Sequence, residues 1–309
     1  PTFLETLRDE RSRLERIGTE GVDIGLEATF NVSYGRLTPQ VARVFERLAV
    51  FPADFFSLAE ETVAEDPNHT ALSTLVRQSL VEFNADTNRY RLHDLTRSFA
   101  LTRLSEGDLA AAQANHAKFY CAVAEILEDQ YLSEEDHDPT GWLEAFATDW
   151  PNIAVGQAWA AKHVDNNEVA ADLCMGYSSV CDTLLLQTQR AQTRVAWAEA
   201  SLAAARRLGL REAEGDAQHA IAQAYKDLGD PNQALDWFHR ALSVARELGS
   251  RHNEAATLDA VANTWMDLGD TERAARLHGE ALAIAEAIDD QDLRYKILTN
   301  LAGVFIRTS

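Results

Sequence analysis

Through most of the chain, apolar side chains return at intervals of three and four residues, the spacing that lines one face of an amphipathic helix. In the C-terminal half that pattern is itself periodic. Residues 211–250 lie over 251–290 without a gap, a period of forty. Tyr225 falls on Trp265, Leu228-Gly229-Asp230 on Leu268-Gly269-Asp270, Ala234 on Ala274, and Ala241-Leu242 on Ala281-Leu282. Ile221, Ala222 and Tyr225 share one helical face, and Ala234, Phe238 and Ala241 another, so each unit predicts two helices. Gly229 and Gly269 end the first helix of each pair, and Asp230-Pro231 supplies a cap and a first-turn proline for the second. A degenerate unit precedes these over 171–210, and a partial one opens over 291–309 with Leu298, Leu301, Ala302 and Phe305. One helix pair cannot bury both of its faces, so the units must stack.

Upstream the pattern changes. Leu26, Phe30, Val32 and Leu37 predict one helix; Val41, Val44, Phe45 and Leu48 a second, opened by Thr38-Pro39 and ended by Phe51-Pro52. Further helices are expected over 58–63 and 71–79. A period-two stretch follows, Leu80, Glu82 and Asn84, then Asp86-Thr87-Asn88, then Arg89-Tyr90-Arg91-Leu92, which predicts a hairpin. A helix from Asp94 to Leu104 closes this region, a long alanine-rich helix covers Leu109–Leu127, and the acidic stretch 128–141 is expected to be a loop.

Composition narrows the function classes. Of 309 residues, 46% are hydrophobic and 25% charged, ordinary for a folded protein. The net charge of −21 repels nucleic-acid backbones and anionic lipid, and favours basic partners. The four lysines, Lys118, Lys162, Lys226 and Lys296, never follow a glycine, so the phosphate-cradling GxxxxGK[ST] loop is absent. There is no apolar run of membrane-spanning length and no signal-peptide pattern after Pro1, which reads as cytoplasmic with no membrane partner. Cys121, Cys174 and Cys181 are odd in number and read as reduced thiols. The cluster Glu134, Glu135, Asp136, His137, Asp138 reads as a solvated charge run and not a metal site, because consecutive residues converge poorly on one ion. No catalytic arrangement of residues stands out, so the chain itself is expected not to be an enzyme and to hold no cofactor.

The forty-residue unit resembles the tetratricopeptide repeat. That resemblance implies a right-handed α-solenoid whose first helices line a groove for a protein or peptide segment. By matching position, the groove candidates are Asp216, His219, Gln223, Lys226, Asp259, Asn263, Met266, Lys296 and Thr299. Tyr225 and Trp265 are expected to pack between helices. His278 stands in the slot of Phe238, which is expected to weaken an aromatic contact. The cut-off final unit is expected to expose Val304 and Phe305, an edge through which the chain could self-associate.

The N-terminal half carries a second resemblance. The runs Phe30-Asn31-Val32-Ser33-Tyr34, Phe45 to Pro52, Leu75 to Val81, and Tyr90-Arg91-Leu92-His93-Asp94-Leu95 look like the winged-helix domain of NB-ARC proteins, the STAND signal-transduction ATPases. Residues 2–17 are similar to the end of the helical domain preceding it, and Trp142-Leu143-Glu144 with Trp150-Pro151-Asn152-Ile153 resembles the connector of actinomycete-type transcriptional regulators. The fold expected is mainly α. It comprises the end of a helical domain (1–20), a small winged-helix-like domain with a short β-hairpin (21–108), a helical connector (109–170) and the tetratricopeptide-like solenoid (171–309). The resemblance implies that His93 and Asp94 match the family's nucleotide sensor, the histidine reaching the β-phosphate of ADP held by an upstream domain of the same polypeptide. It thus implies ADP or ATP for the full-length protein and a regulatory arm whose repeats bind an inducer. The alternative is a DNA-binding winged helix with a repeat interaction domain. Arg77, Arg89, Arg91, Arg97 and Arg103 give the wing basic character, but Glu60, Glu61, Glu65, Asp66, Glu82 and Asp86 offset it.

Overall fold

The computed structural model describes residues 30–133, 139–179 and 182–308, so the calls on residues 2–17, on the acidic run 134–138 and on Cys181 lie outside it. The chain divides into two compact units, the first comprising residues 1–123 and 147–159, the second 124–146 and 160–309. The segment expected to be a separate connector is therefore shared out between them.

The first unit follows the predicted order. A helical turn over 30–34 leads to α1 (Pro39–Arg47), whose N-terminus is capped by Thr38 Oγ1 accepting from Val41 N at 3.4 Å. A 3₁₀ turn over Leu48–Val50 separates it from α2 (Ser57–Ala64), α3 (Thr70–Arg77), the strands β1 (Glu82–Asn84) and β2 (Arg89–Arg91), and α4 (Asp94–Leu101). The hairpin register pairs Glu82 with Arg91 and Phe83 with Tyr90. Its turn is fixed by Asn84, whose side chain accepts from Asp86 N at 2.9 Å, and by Asn88 at φ 54°, which asparagine tolerates better than most residues. Tyr90 also exchanges both backbone bonds with Phe55, at 2.7 and 2.8 Å, so the wing is stitched onto the segment before α2. Phe45, Leu48, Phe51, Phe55, Leu72 and Leu75 fill the core, with Phe51 and Phe55 stacked at 4.2 Å.

Two long helices follow, α5 (Glu106–Leu132) and α6 (Pro139–His163). Of the expected loop over 128–141, the described ends are helical: α5 runs on through Leu132, and α6 begins at Pro139 with proline in its first turn, where no amide is needed. Acidity alone did not break α5, where Glu128 is a good helix former.

Buried polar groups lock the first unit. Arg89 bonds Asp149 at 2.5 Å, Asp54 at 3.1 Å and the Asp54 carbonyl at 2.9 Å. Asn152 donates to that same carbonyl at 3.0 Å, and its oxygen meets His116 Nε2 at 3.4 Å. Burial holds the His116 imidazole down to about 4, keeping it neutral at physiological pH. Glu60 is fully buried, 2.7 Å from His69 Nδ1, and its carboxyl is pushed up to about 9 by burial first and then by the Asp66 carboxyl. Asp66 meanwhile accepts from the amides of Ala71 and Leu72 at 2.8 and 3.1 Å and caps α3.

The second unit is a stack of helices: α7 (Glu168–Ser179), α8 (Asp182–Thr188), α9 (Ala191–Leu208), α10 (Arg211–Asp227), α11 (Pro231–Leu248), α12 (Arg251–Asp267), α13 (Thr271–Ala287) and α14 (Gln291–Thr308). The degenerate first unit opens with two shorter helices, α7 and α8, where its successors have one; Glu128 receives the amides of Thr183 and Leu184 at 2.8 and 3.0 Å and caps α8. The links are as periodic as the sequence. At Gly229 and Gly269 the chain turns left-handed, φ 78° and 83°, while Asp230 N and Asp270 N reach back to the carbonyls of Tyr225 and Trp265. Asp230 and Asp270 then cap the following helices by accepting from Gln233 N and Arg273 N at 3.1 and 3.0 Å. Gly209 and Gly249 close the second helices in the same way, but at the next equivalent position Asp289 adopts φ 55° with a side chain.

Inside the stack, alanines sit where helices cross and aromatics fill the gaps: Ala222, Ala234 and Phe238 pack with Val261, flanked by Tyr225 and Trp265, as expected for packing residues. At Gly215 an added Cβ would lie 3.0 Å from Val244 Cγ1, so α10 and α11 cross at the closest spacing a glycine allows. Charged pairs tie successive units in register. Glu214 takes Arg206 and Arg211 at 2.9 and 2.6 Å, and forty residues on Glu254 takes Arg246 at 2.9 Å and Arg251. His278 does not merely weaken an aromatic contact. It is fully buried and meets Asp259 at 2.8 Å, while Asn300 donates to both oxygens of Asp259 at 3.2 and 3.0 Å, so a hydrogen-bonded cluster replaces the ring packing of the previous unit. Val304 is likewise buried, against Met266 and Ala274, and only Phe305 of the expected exposed pair faces solvent.

Two outcomes follow from these contacts. Asp289→Gly relieves a left-handed residue at a helix end and should raise the stability of the repeat unit by about 0.5–1 kcal/mol, read from its urea midpoint at constant m-value. Glu60 holds a proton in the folded chain that the unfolded chain releases above its ordinary value of 4.5, so stability should fall as pH rises from there towards about 9. Glu60→Gln should flatten that slope in denaturation midpoints compared at about pH 5 and pH 8.

Candidate partner-binding groove

In the second unit, a concavity of about 760 Å³ opens along α9, α10, α11 and α12, with α7, α8 and Lys296 of α14 also contributing. Of the residues expected there, Asp216, His219, Gln223 and Lys296 line it. The side chains of Asp216, His219 and Gln223 point into it because Gln218 and Ile221 take the opposite, buried face of the same helix.

His219 is the most constrained of the four. Its Nδ1 lies 3.3 Å from Thr257 Oγ1, and its ring stands edge-on to Phe238 at 5.1 Å. Burial, then the nearby Lys296 charge, holds its imidazole down to about 4. It therefore presents a neutral ring to any occupant at neutral pH. Asp216 accepts from Asn253 Nδ2 at 3.2 Å, and its carboxyl is raised by desolvation in the groove and by the charge of Glu212. Arg194 and Asp227 close an ion pair of 2.6 Å in the same wall.

The other expected residues lie elsewhere. Asp259 and Met266 are buried in the packing between helices, Asp259 as the acceptor of the His278 and Asn300 cluster. Asn263 is half-buried beside it, with Nδ2 3.5 Å from Asp259 Oδ2. Lys226 reaches Asp267 of the next unit at 3.6 Å, and Thr299 is exposed, its hydroxyl donating to the Tyr295 carbonyl at 3.0 Å. Positional carry-over failed at Asp259 because its partner, His278, lies nineteen residues away on α13. Groove residues on second helices, Trp197, Ser201 and Val244 among them, were missed because the resemblance assigned the groove to first helices only.

In the first unit, His93 and Asp94 are exposed at the start of α4. It is His93, not Asp94, that caps the helix, its Nδ1 accepting from Leu95 N at 3.3 Å; Asp94 is the first helical residue, 4.0 Å from Arg91. The wing's arginines are largely committed: Arg89 to Asp54 and Asp149, Arg103 to Asn31 and to the faces of Phe99 and Tyr34, Arg77 to Thr74. Among the described residues no helix is long and apolar enough to cross a membrane, and no group of three potential ligands could hold a metal ion.

Comparison with known proteins agrees with the repeat architecture. Regulatory protein AfsR of Streptomyces coelicolor is 39% identical over 98 residues, covering 30% of this chain and 10% of that protein. The protein of the same name from Streptomyces griseus is 40% identical over the same length and shares. A putative HTH-type transcriptional regulator of Mycobacterium bovis is 30% identical over 146 residues, 45% of this chain and 16% of that one. The chain thus spans between a tenth and about a sixth of the curated relatives it matches. The crystal structure of a STAND protein with a tetratricopeptide repeat sensor from Pyrococcus horikoshii aligns over 98% of this chain and 63% of that one, at 11% identity and a TM-score of 0.41. The tetratricopeptide repeat model matches residues 213–287, which span α10 to α13. Those two helix pairs are tetratricopeptide repeats.

Proposed function

We propose that this chain is the sensing arm of a STAND-type switch protein, in which the repeats bind a protein or peptide partner and the winged helix passes that event to a nucleotide-binding domain of the same polypeptide. The observation that carries the reading is the concavity of the repeat stack, walled by polar and apolar side chains of successive helix pairs. Relatives named as regulators support a regulatory setting. The chain's own part is binding, not chemistry; ADP or ATP would be held by the upstream domain, with His93 near its phosphate. His93 is free to do so in one respect: it is exposed, at a helix start, and its second nitrogen faces no described partner. Useful coupling between partner and nucleotide needs only about 1–3 kcal/mol.

DNA binding by the winged helix is the competing reading, favoured by the name of the mycobacterial relative. Against it stand the committed arginines of the wing and the net charge of −21.

In the full polypeptide, His93→Ala should speed release of a fluorescent ADP analogue by about tenfold, the loss of one hydrogen bond to a charged group. Deleting residues 171–309 should also shift that rate; an unchanged rate in both variants would remove the relay from the reading.

A further inference from the structure

Most carboxylates of the repeat stack that face a neighbouring helix are neutralised. Glu214 and Glu254 each hold two arginines, Glu247 holds Arg211 at 2.7 Å, and within the groove itself Asp227 holds Arg194 at 2.6 Å. Glu212 and Asp216 are the exceptions. They lie one helical turn apart on α10, both line the concavity, and neither has an ion-pair partner among the described residues. Asp216 has only the neutral amide of Asn253, and the burial and like charge that raise its carboxyl describe an acid pair lacking a cation.

Repeat packing does not require this pair. The positions forty residues on are His252 and Ala256, and Ala256 packs against the core of its unit. The acids are therefore particular to the unit that builds the groove wall. The groove's unpaired cation is Lys296, which leaves it with a net charge of −1 from Glu212, Asp216 and Lys296. Beside the acids the lining is apolar: Leu186 of α8 and Leu248 of α11 are exposed there, while Trp197 of α9 and Val244 of α11 are buried in the helix packing.

On the reading that this groove receives a partner, we propose that its occupant is a peptide segment presenting an arginine or lysine side chain to Glu212 and Asp216, with apolar residues beside it against the exposed Leu186 and Leu248. Charge complementarity selects this occupant. A cation placed there supplies the kind of pair that Glu214, Glu247, Glu254 and Asp227 already have. The neutral His219 ring adds no competing positive charge.

The test uses the 309-residue chain and three fluorescein-labelled pools of nine-residue peptides, with apolar residues randomised around a central arginine, citrulline or glutamate and a benzophenone amino acid at one end. Anisotropy titrations should show the arginine pool binding at least about tenfold more tightly than the citrulline pool, with the glutamate pool weakest, and the difference should shrink as salt is raised. Glu212→Gln with Asp216→Asn should erase the arginine preference while leaving citrulline binding and the thermal midpoint unchanged. Photo-cross-links should fall on peptides from α8 to α12. Equal binding of the three pools, with cross-links in the groove, overturns the basic-segment proposal and leaves the groove as a partner site. An arginine preference that survives the double variant, an arginine pool displaced fully by equimolar spermidine, or cross-links outside the groove likewise overturns it; only the last also removes the groove reading on which it rests.

Discussion

The repeat half depends on one constraint: a pair of helices has more apolar surface than it can cover, so each pair must be covered by the next. Everything periodic in the sequence serves that requirement. The Gly-Asp links reverse the chain within three residues and satisfy both helix ends, the glycine by turning left-handed and the aspartate by capping. Because each link has the same geometry, each pair arrives in the same orientation, and arginine-glutamate pairs recur at the same forty-residue step. The groove is a by-product of this regularity: equivalent helix faces left uncovered in successive units become a continuous wall.

The helices of the stack were legible because periodicity specifies them twice, through apolar spacing and through the punctuation between helices. The hairpin was legible for the same reason, with Asn84 to Asn88 marking the turn between alternating strands. The two ends of the stretch 128–141 were misread because an acidic run is a weak signal: it says that a segment is solvated, and a helix face can be solvated as well as a loop can. At His93 and Asp94 the residue types pointed to a helix start, but which of the two caps it depends on backbone angles that spacing does not encode. Part of the groove was legible. Asp216, His219 and Gln223 share a face of α10 by helical geometry alone, whereas the burial of Asp259 depends on a partner contributed by another helix and on a residue beyond it, Asn300.

That buried cluster shows how a repeat tolerates departure from its own pattern. In one unit His219 stands edge-on to Phe238; in the next the equivalent positions are Asp259 and His278, and they hydrogen-bond. A lone aspartate or a lone histidine at either place would bury an unsatisfied polar atom, so the two substitutions make sense only together, with Asn300 supplying further donors. Even so, Nε2 of His278 has no partner, a residual cost that a phenylalanine would not carry. The cluster ties α12, α13 and α14 to one another by directional bonds where the previous unit relies on shape, which fixes the last helix in one register.

The two units manage charge in opposite ways, and the contrast bears on where a partner can dock. In the first, the arginines that would make a basic wing are drawn inward: Arg89 onto two aspartates and a carbonyl, Arg103 onto aromatic faces. In the second, arginines neutralise the acids of the helix junctions and Asp227 of the groove, leaving Glu212 and Asp216 without an ion-pair partner among the described residues. An acidic chain has too few cations to pair every carboxylate, so the places where pairing is omitted carry information. At an exposed loop the omission costs almost nothing, because water screens the charge. In the concavity, the desolvation and like charge that raise the Asp216 carboxyl favour a cationic group entering beside it.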